Sequence, residues 1–159
     1  MLILPKSIKL IVTDFDGIVT DNCVYIDSNG NSSRKLNFKD VMAFSMLKKA
    51  HYTTAIISGE QNSAIELIKD KFNLKHVHQN IRIKIDVLLS ILKQENLSKD
   101  EFLYIGDDIN DIECLEYAKY KITVPNAVDK VKHIKNIQIT QNEGGCGAFR
   151  EVVDCLINS

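Results

Sequence analysis

The chain reads as one α/β domain: a three-layer, Rossmann-like parallel sheet with helices on both faces and a single β-hairpin projecting from it as a flap. Three observations predict this. Short β-rich apolar runs alternate with helix-length amphipathic stretches along 159 residues, the length of one ordinary domain. Between the first run and the first helix lies Asn29-Gly30, the dipeptide that favours a tight hairpin turn. Only two prolines and seven glycines are present, with no repeat or low-complexity stretch, so residues 1–159 leave little room for a flexible linker.

Each element follows from its pattern. Ile8 to Thr13 (IKLIVT) is a β-rich run ending in acidic residues. Val24 to Ile26 and Lys35 to Phe38 flank the turn sequence SNGNSS and form the hairpin arms. Asp40 is placed to cap a helix carrying Phe44, Leu47 and Ala50. Thr53 to Ile57 is a buried strand, followed by a helix from about Gln61 to Phe72. Lys84 to Glu95 is helical, because Ile85, Leu88, Leu89 and Leu92 keep the helical period. Phe102 to Ile105 is the next strand, Tyr120 to Val124 another, stopped by Pro125. Ala148 to Ile157 closes the chain as a helix with Phe149, Val152, Val153 and Leu156 on its apolar face.

Composition narrows the function. Twenty basic against 21 acidic residues leave a net charge of −1, which argues against a nucleic-acid surface or a polybasic membrane anchor. No apolar run approaches the ~20 residues that span a bilayer, and the first residues show no signal-peptide pattern. Cys23, Cys114, Cys146 and Cys155 form no CxxC pair and have no histidine at zinc-like spacing, which suits a reducing, cytoplasmic setting.

The chemistry lies in where the acids fall. Ligands of open α/β sheets bind beyond the carboxyl ends of the strands. Asp14 and Asp16 follow the first strand, Ser58-Gly59 follows TTAII, and Asp107-Asp108 with Asp111 follow FLYI. Carboxylates converging there repel one another unless a divalent cation holds them, and hard oxygen ligands suit Mg²⁺. Asp14 is then placed to attack phosphorus and form an aspartyl-phosphate. Asp16 protonates the leaving alcohol and later takes the proton of the hydrolytic water. Gly17 lets the backbone turn closely, Ser58 and its neighbouring amides hold phosphoryl oxygens, Lys84 offsets the spreading charge, and Asp107 completes the metal shell. A DxD, a GDD or a lone lysine is commonplace by itself. Their order along an alternating chain is what carries the reading.

These motifs resemble those of the haloacid dehalogenase superfamily of phosphotransferases: DFDGIVTD its first, IISG its second, Lys84 its third and GDDIND its fourth. The hairpin after Thr20-Asp21, the GDDxxD form and the tail GGCGAFRE are similar to the capless branch of 3-deoxy-octulosonate 8-phosphate phosphatases. That branch includes nonulosonate (sialic-type) 9-phosphate phosphatases and domains fused to acylneuraminate cytidylyltransferases. The resemblance implies no cap domain, an Mg²⁺ ion held by Asp14, Asp107 and the backbone carbonyl of Asp16, and a sugar-acid phosphate as substrate. It implies Thr20, Ser58, Gly59, Glu60 and Arg150 as substrate- or phosphate-binding residues. It further implies a homotetramer in which the flap and the glycine-rich tail (Gly144, Gly145, Gly147, Ala148, Arg150) close a neighbour's site.

Departures bear on the substrate. Glu60 stands where octulosonate enzymes usually carry arginine and resembles the nine-carbon branch. Ile68 replaces an arginine usual in both, with Lys69 beside it; Asn80 replaces a glycine and Val41 a small residue. Two other readings compete: a phospho-acceptor receiver-type module, and an oligomerising or low-activity partner of an acylneuraminate cytidylyltransferase. Asp16, two residues after the nucleophile, speaks against the first, and retention of Asp14, Asp16, Lys84 and Asp107 against the second.

Overall fold

A computed structural model describes residues 2–158. Six parallel strands form one sheet: β1 (Leu10–Thr13), β4 (Thr53–Ile57), β5 (His76–His78), β6 (Phe102–Ile105), β7 (Tyr120–Thr123) and β8 (Gln138–Ile139). β1 and β6 are buried along their whole length and β4 nearly so, as strands covered on both faces must be. Their order is β5-β4-β1-β6-β7-β8. The chain therefore builds outward from β1 on one side, returns, and builds outward from β6 on the other. The crevice of such a sheet opens where that order reverses, between β1 and β6.

The helices are α1 (Phe38–Lys49), α2 (Ser63–Phe72), α3 (Lys84–Glu95), the short α4 (Ile112–Tyr117) and α5 (Asp129–Lys132), and α6 (Ala148–Ile157). α1 packs against α6 and α2, and α3 against α4. Phe44 of α1 joins its neighbours through rings, 4.7 Å from Phe149 and 5.9 Å from Phe72 between centroids. Asn62 caps α2 by accepting the Ile65 amide at 3.1 Å, and α2 and α3 end at Asn73 and Asn96 in the left-handed region. α6 buries Phe149, Val152, Val153 and Leu156, the apolar face read from its sequence.

The structure corrects the sequence reading at several elements. β1 begins at Leu10, α2 at Ser63, and Leu89 of α3 is 41% exposed rather than part of the apolar face. The flap pairs β2 (Tyr25–Ile26) with β3 (Ser32–Ser33), so its return arm comes earlier than Lys35 to Phe38. Asp27 is the reason: its carboxylate accepts the amides of Asn29 and Asn31 at 2.9 and 2.8 Å and closes a tight loop around Gly30. Phe38 belongs to α1, which is capped by Asn37 accepting the Lys39 amide at 2.9 Å. Asp40 is therefore no cap of α1. It is buried and accepts the Gly147 and Arg150 amides, both at 2.9 Å, tying α1 to the start of α6. All four cysteines are free, and among the described residues no helix is long and apolar enough to cross a membrane.

Candidate active site

The central strands deliver the site. Asp14 leaves β1, Ser58 leaves β4 and Asp107 follows β6 after one glycine, so three adjacent strand ends supply its floor. They line a cleft of about 190 Å³ together with Asp16, Asn22, Gly59, Glu60, Asp108 and Asn110.

Beneath it lies a buried charge network. Lys84, the first residue of α3, is buried, and its ammonium stands 2.8 Å from both Asp14 Oδ2 and Asp111 Oδ1. Burial alone would push that ammonium down, but the two carboxylates hold it above its ordinary range. Asp14 Oδ1 accepts the Phe15 amide at 2.6 Å. Burial and the nearby Asp111 charge raise the Asp14 carboxyl well above the usual carboxylate range, against the opposing pull of Lys84. Asp111 is fully engaged: Oδ1 also accepts the Tyr104 hydroxyl at 2.8 Å, and Oδ2 accepts the amides of Asp107 and Asp108 at 3.2 and 3.3 Å. It thereby fixes both Lys84 and the loop that carries Asp107.

The acids fit a divalent cation. Asp14, Asp107 and Asp111 each bring an oxygen within 4.8 Å of the others. Asp111 is spoken for, whereas Asp107 Oδ1 is buried without a partner, and the Asp16 carbonyl accepts no hydrogen bond from the described residues. Burial and the charges of Asp111 and Asp108 push the Asp107 carboxyl up to about 7. Gly17, at φ +90°, lies so near this group that a Cβ there would overlap the Asp107 carboxylate. Asp14 and Asp107, beside the engaged Asp111, are thus carboxylates that could hold a hard cation, and the free Asp16 carbonyl could join them.

The residues singled out from sequence fall into three groups. Asp14, Asp16, Ser58, Gly59, Glu60 and Asp107 line the cleft, with Lys84 directly under Asp14. Ser58 Oγ accepts the Glu60 amide at 3.2 Å, which leaves its own O–H to donate. Thr20 corrects the reading as a phosphate ligand: it is wholly buried, donates to Asp16 Oδ1 at 3.0 Å and accepts the Gly17 amide at 3.3 Å, so it shapes the loop from below. Arg150 is not brought to this cleft. Its Nε pairs with Asp154 Oδ1 at 2.8 Å beside Lys39, Cys146 and Gly147.

The glycine-rich tail packs against the acidic loop of its own chain. A Cβ on Gly144 would overlap the Gly17 carbonyl, and the Gly145 amide donates to Ile18 O at 3.0 Å. The tail is therefore wedged against the loop that holds Asp14 and Asp16. Ile68 is fully buried, so that position faces the core.

Sequence reasoning missed Arg34 and Asn62. Arg34 Nε lies 3.1 Å from Asp16 Oδ1, and Asn62 Nδ2 lies 3.4 Å from Asp16 Oδ2. No local pattern announces either: Arg34 arrives on the flap, and Asn62 looks only like a helix cap. Asp111 was visible as a further acid of the GDDIND run, but its grip on Lys84 is a tertiary fact.

A model of the haloacid dehalogenase-like hydrolase family matches residues 19–148. The 3-deoxy-D-manno-octulosonate 8-phosphate phosphatase KdsC of Haemophilus influenzae is 26% identical over 154 residues, covering 97% of this chain and 85% of its own. Among solved structures, the 3-deoxy-D-manno-octulosonate 8-phosphate phosphatase of Moraxella catarrhalis, in complex with magnesium, phosphate and KDO, superposes with a TM-score of 0.90 at 28% identity, over 96% of this chain and 87% of its own. A putative hydrolase of the same superfamily from Legionella pneumophila gives 0.91 at 31% identity, over 96% and 84%. With that match along most of its length and with the acidic crevice its fold builds, the chain belongs to the haloacid dehalogenase-like hydrolase family, as a phosphatase with a divalent-metal site.

Proposed function

We propose that the chain hydrolyses the phosphate monoester of an acidic keto-sugar, either 3-deoxy-octulosonate 8-phosphate or a nonulosonate 9-phosphate, through an aspartyl-phosphate on Asp14. The observation that carries the mechanism is the buried Lys84 ammonium shared by Asp14 and Asp111, with Asp16 two residues from the nucleophile. The Asp14 carboxylate attacks phosphorus while the bond to the sugar oxygen breaks, and Asp16 gives that oxygen its proton. Asp16 then takes a proton from the water that attacks the phospho-aspartate, releasing inorganic phosphate and restoring Asp14. Lys84 and the Ser58 hydroxyl offset charge on the phosphoryl oxygens. The divalent ion held by Asp14, Asp107 and the Asp16 carbonyl supplies the positive charge that lets a phosphate dianion approach this acidic floor.

The named relatives support the octulosonate, since the curated Haemophilus protein and the Moraxella structure both carry that activity in their names. Glu60 supports the nine-carbon acid: it is exposed in the cleft, directly after the phosphate-binding turn, where its carboxylate accepts from the hydroxyls of a longer chain whose own carboxylate lies further from the phosphate. The deciding measurement is kcat/KM for both sugar phosphates, with and without Mg²⁺, on the native protein and on Glu60→Arg. If Glu60 reads the sugar, the ratio of the two shifts toward the octulosonate by about 5–100-fold, corresponding to one hydrogen-bonding group lost or gained. An unchanged ratio removes Glu60 from substrate recognition. Failure to hydrolyse either sugar phosphate in Mg²⁺ overturns the function.

A further inference from the structure

We infer that Arg34 of the flap is the residue that reads the carboxylate of the substrate, an inference that rests on the acidic-sugar reading above. Arg34 pairs with Asp16 through Nε alone, at 3.1 Å, and its side chain is 11% exposed. Its two terminal NH₂ groups make no hydrogen bond to the described residues. Four strong donors of a permanently charged group are therefore held on a side chain that is 11% exposed, reaching the solvent of a cleft rather than a protein partner.

They border a second cleft, of about 400 Å³, lined by Ser32, Ser33, Arg34, Gln61, Asn62 and Glu66 among others. Arg34 is the only basic residue among the described residues of that lining. Lys69 does not line the cleft and pairs with the lining residue Glu66 at 3.2 Å, and position 68 is a buried isoleucine.

Mechanism places the sugar here. Asp16 must touch the leaving oxygen, so the leaving sugar lies against the Asp16 carboxylate. The side chains that adjoin that carboxylate are Thr20, which is buried below, and Arg34 and Asn62, which both line the second cleft. The cleft suits a polyol, being walled by hydroxyls, amides and one carboxylate. A guanidinium whose Nε is fixed and whose remaining fork is free matches a carboxylate by two parallel hydrogen bonds, which an ammonium cannot reproduce. Arg34 thus ties the acid of the reaction to the recognition of an acidic substrate. It does so within one chain.

The test compares a sugar-acid phosphate with the same molecule carrying a carboxamide in place of its carboxylate, on the native protein, Arg34→Gln and Arg34→Lys. The native enzyme is expected to prefer the acid, and Arg34→Gln to lower that preference by about tenfold or more, as loss of a nearly buried charged partner does. Arg34→Lys restores part of the preference, because it keeps the charge and loses the fork. Calorimetry with the dephosphorylated sugar acid is expected to show the same order of affinities, independently of turnover. Arg34→Gln losing equal activity on both substrates would show that Arg34 serves Asp16 alone, and would overturn this inference while leaving the sugar-acid function standing. A native enzyme that turns over the acid but does not prefer it to the amide overturns the inference too. A native enzyme inactive on sugar-acid phosphates overturns the function itself.

Discussion

Asp14 and Lys84 show what gathering carboxylates around one buried ammonium costs the fold. An ammonium with two carboxylates at 2.8 Å leaves a net negative charge in a place with almost no water, and the raised Asp14 carboxyl records the cost. Neutralising Asp14 relieves part of that crowding while Asp111 continues to hold Lys84. Asp14→Asn is therefore expected to fold, with a metal-free Tm equal to or above that of the native protein, and to lose activity by about 10⁴-fold or more, because no other side chain is placed to form the covalent intermediate. Phosphatase assays and thermal melts on freshly prepared, undeamidated protein check both halves. Substantial turnover would remove Asp14 as nucleophile, and a large drop in Tm would show that its charge stabilises the fold.

At the scale of the elements, the flap is the least self-sufficient part. β2 and β3 are two residues each, and a two-stranded ribbon is marginal in water. Val24, Tyr25 and Ile26 are about half or more exposed, and Phe38 beside the flap is 79% exposed. Cover from neighbouring copies would bury them, and we expect a homotetramer. Light scattering at micromolar concentration tests this, with Ile26→Ser and Phe38→Ser expected to shift the protein toward smaller species; a native monomer with full activity contradicts it. The helices and central strands were legible because burial leaves a periodic trace: TTAII, FLYI and the α3 and α6 limits stand where the pattern puts them. β5 and β8 were not, because HVH and QI are too short and too polar to show a run. Asp40 misled for a related reason. An acid near a helix start looks like a cap, and only its partners 107 and 110 positions away reveal that it joins two helices.

At the scale of the whole molecule, the order of the strands puts the acids together, and the fold bears the electrostatic consequence. That Asp14, Asp16 and Lys84 would gather at one edge was readable because each sits at a strand end or helix start in a recognisable run; Arg34 and Asn62 were not, because they meet Asp16 only through tertiary approach. The gathered charge links the stability of the domain to pH and to metal. Asp107 rises from an ordinary value of 3.8 to about 7 on folding, so the folded state holds this proton more tightly than the unfolded chain. The associated stability is present in full below about pH 4 and is lost as the pH climbs through about 7. Between pH 5.5 and 8 the metal-free protein should therefore lose on the order of 1–3 kcal/mol from this group. A cation binds the ionised carboxylate and reverses the trend, since a ligand that binds only the folded state stabilises it. The rise in Tm on adding Mg²⁺ is accordingly expected to be small at pH 5.5 and large at pH 8, and to shrink in Asp107→Asn at both. Thermal melts in EDTA and in excess Mg²⁺ at the two pH values measure it. A metal-induced rise that is equal at both pH values, or is kept in full by Asp107→Asn, would mean that Asp107 does not hold the cation.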